Sequence, residues 1–101
     1  MTELNNENYT DFIKDGIAIV DIWSPTCRPC LQLMPIIEEI STQMGETTSF
    51  GKLNAADFRE KALSLNIRSI PTLLFYKNGK LITQTSGLQT STQIKDIIKS
   101  L

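Results

Sequence analysis

Cys27 and Cys30 are the only cysteines of a 101-residue chain, and they stand in the run Cys27-Arg28-Pro29-Cys30. Where a strand hands over to a helix, this spacing puts both sulfurs in the helix's first turn, within reach of one disulfide and suited to reversible oxidation. The unpaired N–H groups there and the positive end of the helix dipole stabilise a thiolate. Pro29 falls in the same turn, where a missing N–H costs nothing, and it stiffens the loop between the sulfurs. Two other chemistries use the same residues: a purely structural disulfide, and half of a metal or iron-sulfur site completed by another subunit. A structural bridge across so short a loop would remove little chain entropy. The chain has no histidine, so His-dependent triads and zincins are excluded, and two cysteines alone cannot complete a four-cysteine zinc site.

The elements that must position these sulfurs are legible around them. Ile17 to Trp23 (IAIVDIW) is a β-branched run expected to form a strand buried on both faces, with one anomalous carboxylate at Asp21. After the turn Ser24-Pro25-Thr26, the spacing of Leu31, Leu33, Met34, Ile36, Ile37 and Ile40 predicts a long helix, interrupted by Pro35 and stopped at Gly45. Upstream, Asn5 to Lys14 reads as a short strand or turn and a modest helix ending near Asp15-Gly16. Downstream, Ser49 to Asn54 reads as a second central strand, and Asp57 to Leu65 as a short helix burying Ala62, Leu63 and Leu65. Thr72 to Lys77 and Lys80 to Thr85, joined by Asn78-Gly79, form an antiparallel hairpin signal. Gly87 ends the second strand, and Ser91 is expected to cap a last helix carrying Ile94, Ile97, Ile98 and Leu101. The order β-α-β-α-β-α-β-β-α predicts an α/β three-layer sandwich, with helices on both faces of a mixed sheet.

Composition bounds the function. With 41% hydrophobic and 21% charged residues, and no linker or repeat, the chain is expected to be a single domain spanning 1–101. Ten Lys plus Arg against eleven Asp plus Glu, scattered along the chain, argue against nucleic acid or an anionic membrane as partner. No apolar run is long enough to span a bilayer, and the start MTELNNENY lacks the features of a signal peptide. A cytoplasmic location and a monomer are therefore expected, with no metal and no bound cofactor.

Beyond the cysteines, the chain carries IVDIW ahead of the motif, Pro35 after it, Lys52-Leu53-Asn54, Ile67-Arg68-Ser69-Ile70-Pro71-Thr72, Lys77-Asn78-Gly79 and Gly87. Over nearly its whole length it resembles the thioredoxin family. The resemblance implies the thioredoxin fold, a central mixed sheet of four to five strands flanked by four helices. It implies a protein disulfide reductase in which Cys27 attacks a target disulfide and Cys30 resolves the mixed disulfide, the sulfurs themselves carrying the electrons. Asp21 would assist deprotonation of Cys30, with Lys52 on the neighbouring strand as its charge partner. Ile70-Pro71 would be a cis peptide facing the cysteines, where the backbone of Ile70 pairs with an extended substrate segment. Gly87 and Trp23 would complete an apolar rim that a peptide can approach. Read without the resemblance, Asp21 is a strand-end carboxylate, Lys52 a surface lysine, Pro71 a strand starter, Gly87 a bulge residue and Trp23 a core residue. The expected partners are oxidised protein disulfides and a thioredoxin reductase, flavin- or ferredoxin-dependent.

The chain departs from the family at the target-facing surface, where Thr26 replaces a usual Trp and Arg28 a usual Gly. Arg28 places a permanent cation beside the sulfurs and is expected to favour the thiolate, making the couple somewhat more oxidising. A disulfide oxidase or isomerase, and a binding subunit whose cysteines are incidental, are the rival readings. Retention of Asp21, Lys52, Pro71 and Gly87 beside both cysteines argues against the latter.

Overall fold

The structure is a computed structural model describing residues 1–101. Its elements in chain order are β1 (Thr2–Glu3), α1 (Tyr9–Ile13), β2 (Ile17–Trp23), α2 (Arg28–Met44), β3 (Thr48–Asn54), α3 (Arg59–Ser64), β4 (Thr72–Lys77), β5 (Lys80–Ser86) and α4 (Ser91–Lys99). The five strands form one sheet in the order β1-β3-β2-β4-β5. β1, β3 and β2 run parallel, while β4 is antiparallel to β2 and β5 antiparallel to β4. β2 therefore lies at the centre, which is why its side chains are apolar on both faces.

Strand alternation divides those side chains between two cores. Ile19 joins Phe50, Leu73 and Phe75 against Leu33, Ile37 and Ile40 of α2 and Ile94 and Ile98 of α4. Ala18, Val20 and Ile22 point the other way, into a cluster with Leu4, Tyr9, Leu53, Leu74 and Tyr76 that α1 and the α3 region cover. The result is the expected three-layer sandwich with four helices.

Several local expectations are corrected. α2 runs unbroken through Pro35, because the single hydrogen bond that proline removes lies on the exposed side, while Leu33, Ile37 and Ile40 stay fully buried. α3 buries Ala62 but leaves Leu63 68% exposed, since a helix this short turns only one narrow stripe to the sheet. The cap of α4 is Thr90 rather than Ser91: the Thr90 hydroxyl accepts from the Gln93 N–H at 3.1 Å, and Gln93 Oε1 accepts from the Thr90 N–H at 2.9 Å. The β4–β5 turn has both central residues in the left-handed region, Asn78 at φ 50° and Gly79 at φ 82°, as a two-residue hairpin requires.

A redox-active cysteine pair at the end of the sheet

Register places one end of the sheet under the cysteines. Trp23, the last residue of β2, pairs with Asn54 of β3, and Ile22 pairs with Thr72, the first residue of β4. Thr72 in turn pairs with Ser86 of β5. The segments following β2 and β3, preceding β4 and following β5 therefore converge, bringing Cys27, Pro71 and Gly87 to one end of the molecule.

Cys27 and Cys30 are joined in a disulfide, with Cα atoms 5.2 Å apart. Cys27 is the N-cap of α2: its sulfur accepts from the Cys30 N–H at 3.3 Å, and its backbone N–H donates to the Ser24 carbonyl at 3.2 Å. The two sulfurs differ in access. Cys27 is half-buried and flanked by exposed Thr26, Arg28 and Pro29, whereas Cys30 is fully buried. An incoming disulfide can meet only Cys27.

Asp21 is fully buried on the face of β2 that also carries Ile19, and neither of its oxygens has a hydrogen-bond partner. Burial pushes its pKa up to about 7, with the Lys52 charge pulling the other way. Lys52 stands opposite Asp21 in the β2–β3 register, yet the two form no ion pair. The Lys52 ammonium lies 3.9 Å from Glu3 and 5.5 Å from the centre of the Trp23 ring. The partner it touches is thus Glu3, whose place beside Lys52 depends on the pairing of β1 with β3 and has no signature in the local sequence.

Trp23 is half-buried, with an indole N–H that is buried and unpaired. The Ile70–Pro71 peptide is cis, and Pro71 is buried. The Gly87 N–H donates to the Pro71 carbonyl at 2.8 Å, at φ 83°. Apart from Gly87 itself and its two chain neighbours, no atom lies within 4 Å of where a Gly87 Cβ would stand. Its backbone conformation, and not crowding, calls for glycine there, and the space above it is open. No group of three or more His, Cys, Asp or Glu comes together to hold a metal ion, and no helix is long and apolar enough to cross a membrane.

A disulfide between an accessible and a buried sulfur at a helix N-terminus, on a five-stranded α/β sandwich, defines a thiol-disulfide oxidoreductase. The Thioredoxin family model matches residues 1–100, and the chain belongs to the thioredoxin family. It is 33% identical over 98 residues to a thioredoxin of Buchnera aphidicola, covering 95% of this chain and 91% of that protein. It is 31% identical over 103 residues to a thioredoxin of Haemophilus influenzae, covering 97% and 96%. A solved structure of a mutant thioredoxin from Halobacterium salinarum shares the fold, with a TM-score of 0.91 at 23% identity over 98% of this chain and 88% of that one. The protein is a protein-disulfide reductase with a redox-active cysteine pair; members of its family act on disulfide substrates and are reduced by thioredoxin reductase.

Proposed function

We propose that the chain is a single-domain, monomeric, cytoplasmic protein-disulfide reductase in which Cys27 is the attacking and Cys30 the resolving sulfur. The observation that supports this most directly is the difference in access between a half-buried Cys27 and a fully buried Cys30. The Cys27 thiolate attacks one sulfur of the target disulfide, forming the mixed disulfide and expelling the target's first thiolate. Cys30 then loses its proton to the Asp21 carboxylate and attacks the Cys27 sulfur. The target's second thiolate leaves, and the Cys27–Cys30 disulfide is restored. Two electrons pass to the target, and a thioredoxin reductase returns them.

The helix N-terminus and the Cys30 N–H lower the cost of charge on Cys27. Asp21, with a pKa near 7, accepts and releases a proton within the working pH range. Lys52 limits how far that pKa rises. Arg28 and Pro29 tune the couple, Thr26 and Trp23 contact the target, and Ile70, Pro71 and Gly87 receive its extended segment in strand-like pairing. The reductase that returns the electrons is flavin-dependent or ferredoxin-dependent.

The test is the reduction potential of the Cys27–Cys30 couple, titrated in thiol-disulfide buffers and followed by Trp23 fluorescence, with turnover of a model disulfide protein alongside. A strongly reducing, reversible couple with turnover is expected, and Cys30→Ser is expected to accumulate the mixed disulfide through Cys27. An oxidising couple would instead favour the oxidase or isomerase. No reversible couple would overturn the proposal in favour of a binding subunit.

A further inference from the structure

A cleft of about 210 Å³ opens between α3 and the segment leading into β4. Its apolar walls include Ala62, Leu63, Ile67 and Ile70, and Arg59 and Arg68 stand at its margins with no acidic side chain in the lining. Neither arginine forms an ion pair; the one surface bridge of the molecule joins Lys52 to Glu3. Asp57 and Glu60 share a neighbouring cleft with Arg59 without coming within ion-pair distance of it, whereas no acidic residue lines a cleft with Arg68. Lys61 is engaged elsewhere, over the Tyr9 ring at 4.5 Å.

The cleft lies at the redox end of the sheet. Ala55, which lines it, donates its N–H to the Trp23 carbonyl at 2.8 Å, and Ile70, which also lines it, forms the cis peptide with Pro71. Leu63 is 68% exposed at its edge, an aliphatic side chain that burial against a partner would favour. The volume is smaller than the roughly 300–1,000 Å³ of small-molecule pockets and fits a side chain of a longer partner. All three arginines of the chain, Arg28, Arg59 and Arg68, stand on segments that meet at this end.

Resting on the reductase reading above, we infer that this cleft selects targets: it takes an apolar side chain flanked by Asp or Glu, on the extended segment that carries the target disulfide. A segment seated against Ile70 continues directly over the cleft, so one side chain enters between Leu63 and Ile67 while adjacent carboxylates meet Arg59 and Arg68. Charge selects the partner and speeds encounter, and the apolar contact holds it.

The test uses the pre-reduced full-length protein and synthetic peptides with one internal disulfide, identical except for a flanking Leu-Glu-Glu, Leu-Gln-Gln or Leu-Lys-Lys segment. Single-turnover rate constants are followed by Trp23 fluorescence. Wild type is expected to reduce the acidic peptide about tenfold faster than the glutamine peptide at low salt, the advantage shrinking as salt rises. The double variant Arg59→Glu, Arg68→Glu is expected to invert the order in favour of the lysine peptide, an outcome that general destabilisation cannot produce. Equal rates on all three peptides in wild type overturn the inference and leave the reductase reading intact. An acidic preference that survives the charge reversal overturns it as well, assigning the selection to Arg28. Failure to reduce any of the peptides removes both.

Discussion

Asp21 holds a carboxyl group inside the central strand with neither oxygen hydrogen-bonded, and its pKa rises from 3.8 to about 7. Below about pH 4 the folded and unfolded chains both hold this proton, so it affects stability little. Between about pH 4 and 7 the unfolded chain releases the proton while the folded one keeps it, and stability falls as pH rises. Above that window the full cost applies, about 4 kcal/mol. Asp21→Asn is therefore expected to raise urea-unfolding stability at pH 8 by up to that amount and to change it little at pH 3.5; equal gains at both would sink the ionisation account. Slower resolution of the mixed disulfide is expected alongside. Arg28 is exposed beside the sulfurs, and Arg28→Gly is expected to lower the reduction potential. A tenfold change in a two-electron equilibrium is about 30 mV, and one solvent-screened cation should shift it by no more. A potential equal to or above that of wild type removes Arg28 as a tuning residue.

At the scale of elements, what is legible in the sequence depends on how locally each signal is written. The β4–β5 hairpin is plain because Asn78-Gly79 supplies two left-handed residues and the flanking strands are adjacent in the chain. Gly79→Ala keeps φ 82° only under strain and is expected to cost at least about 1 kcal/mol in thermal unfolding. The cap of α4 lies one position before the expected one, because Thr90 and Ser91 are both capping types and only their conformation separates them. Thr90→Ala removes the hydroxyl that satisfies the Gln93 N–H and is expected to destabilise the fold by about 1 kcal/mol, with Thr90→Ser restoring most of it. Leu63 is exposed against expectation because helical periodicity names an apolar stripe without saying how much of it the sheet covers.

For the whole molecule, the two apolar clusters on either side of the sheet do not depend on the disulfide, which closes a sequence separation of only 3. The reduced protein is expected to remain folded, with the oxidised form more stable by about 2 kcal/mol and melting roughly 10 °C higher. Differential scanning calorimetry of both forms checks this. The sign carries function, because a fold that stabilises the disulfide makes the couple more reducing, whereas a reduced form that melts higher identifies an oxidant. Calorimetry thus separates reductase from oxidase without any target protein.

What the residues carry locally is the succession of elements and the groups able to do redox chemistry: two cysteines at a strand-to-helix junction, an apolar central strand interrupted by Asp21, a hairpin and an amphipathic last helix. Each of these is written within a few consecutive residues, in propensity, periodicity or turn chemistry. Only the tertiary structure decided the strand order β1-β3-β2-β4-β5, the pairing that turns Lys52 to Glu3 and Trp23 and not into contact with Asp21, and the difference in access between Cys27 and Cys30. Only there do arginines scattered along the chain gather at the redox end, two of them at one cleft. Such features depend on which distant segments pack together, and that is settled by burying both faces of β2 at once, a condition on the whole chain that no short window of residues expresses.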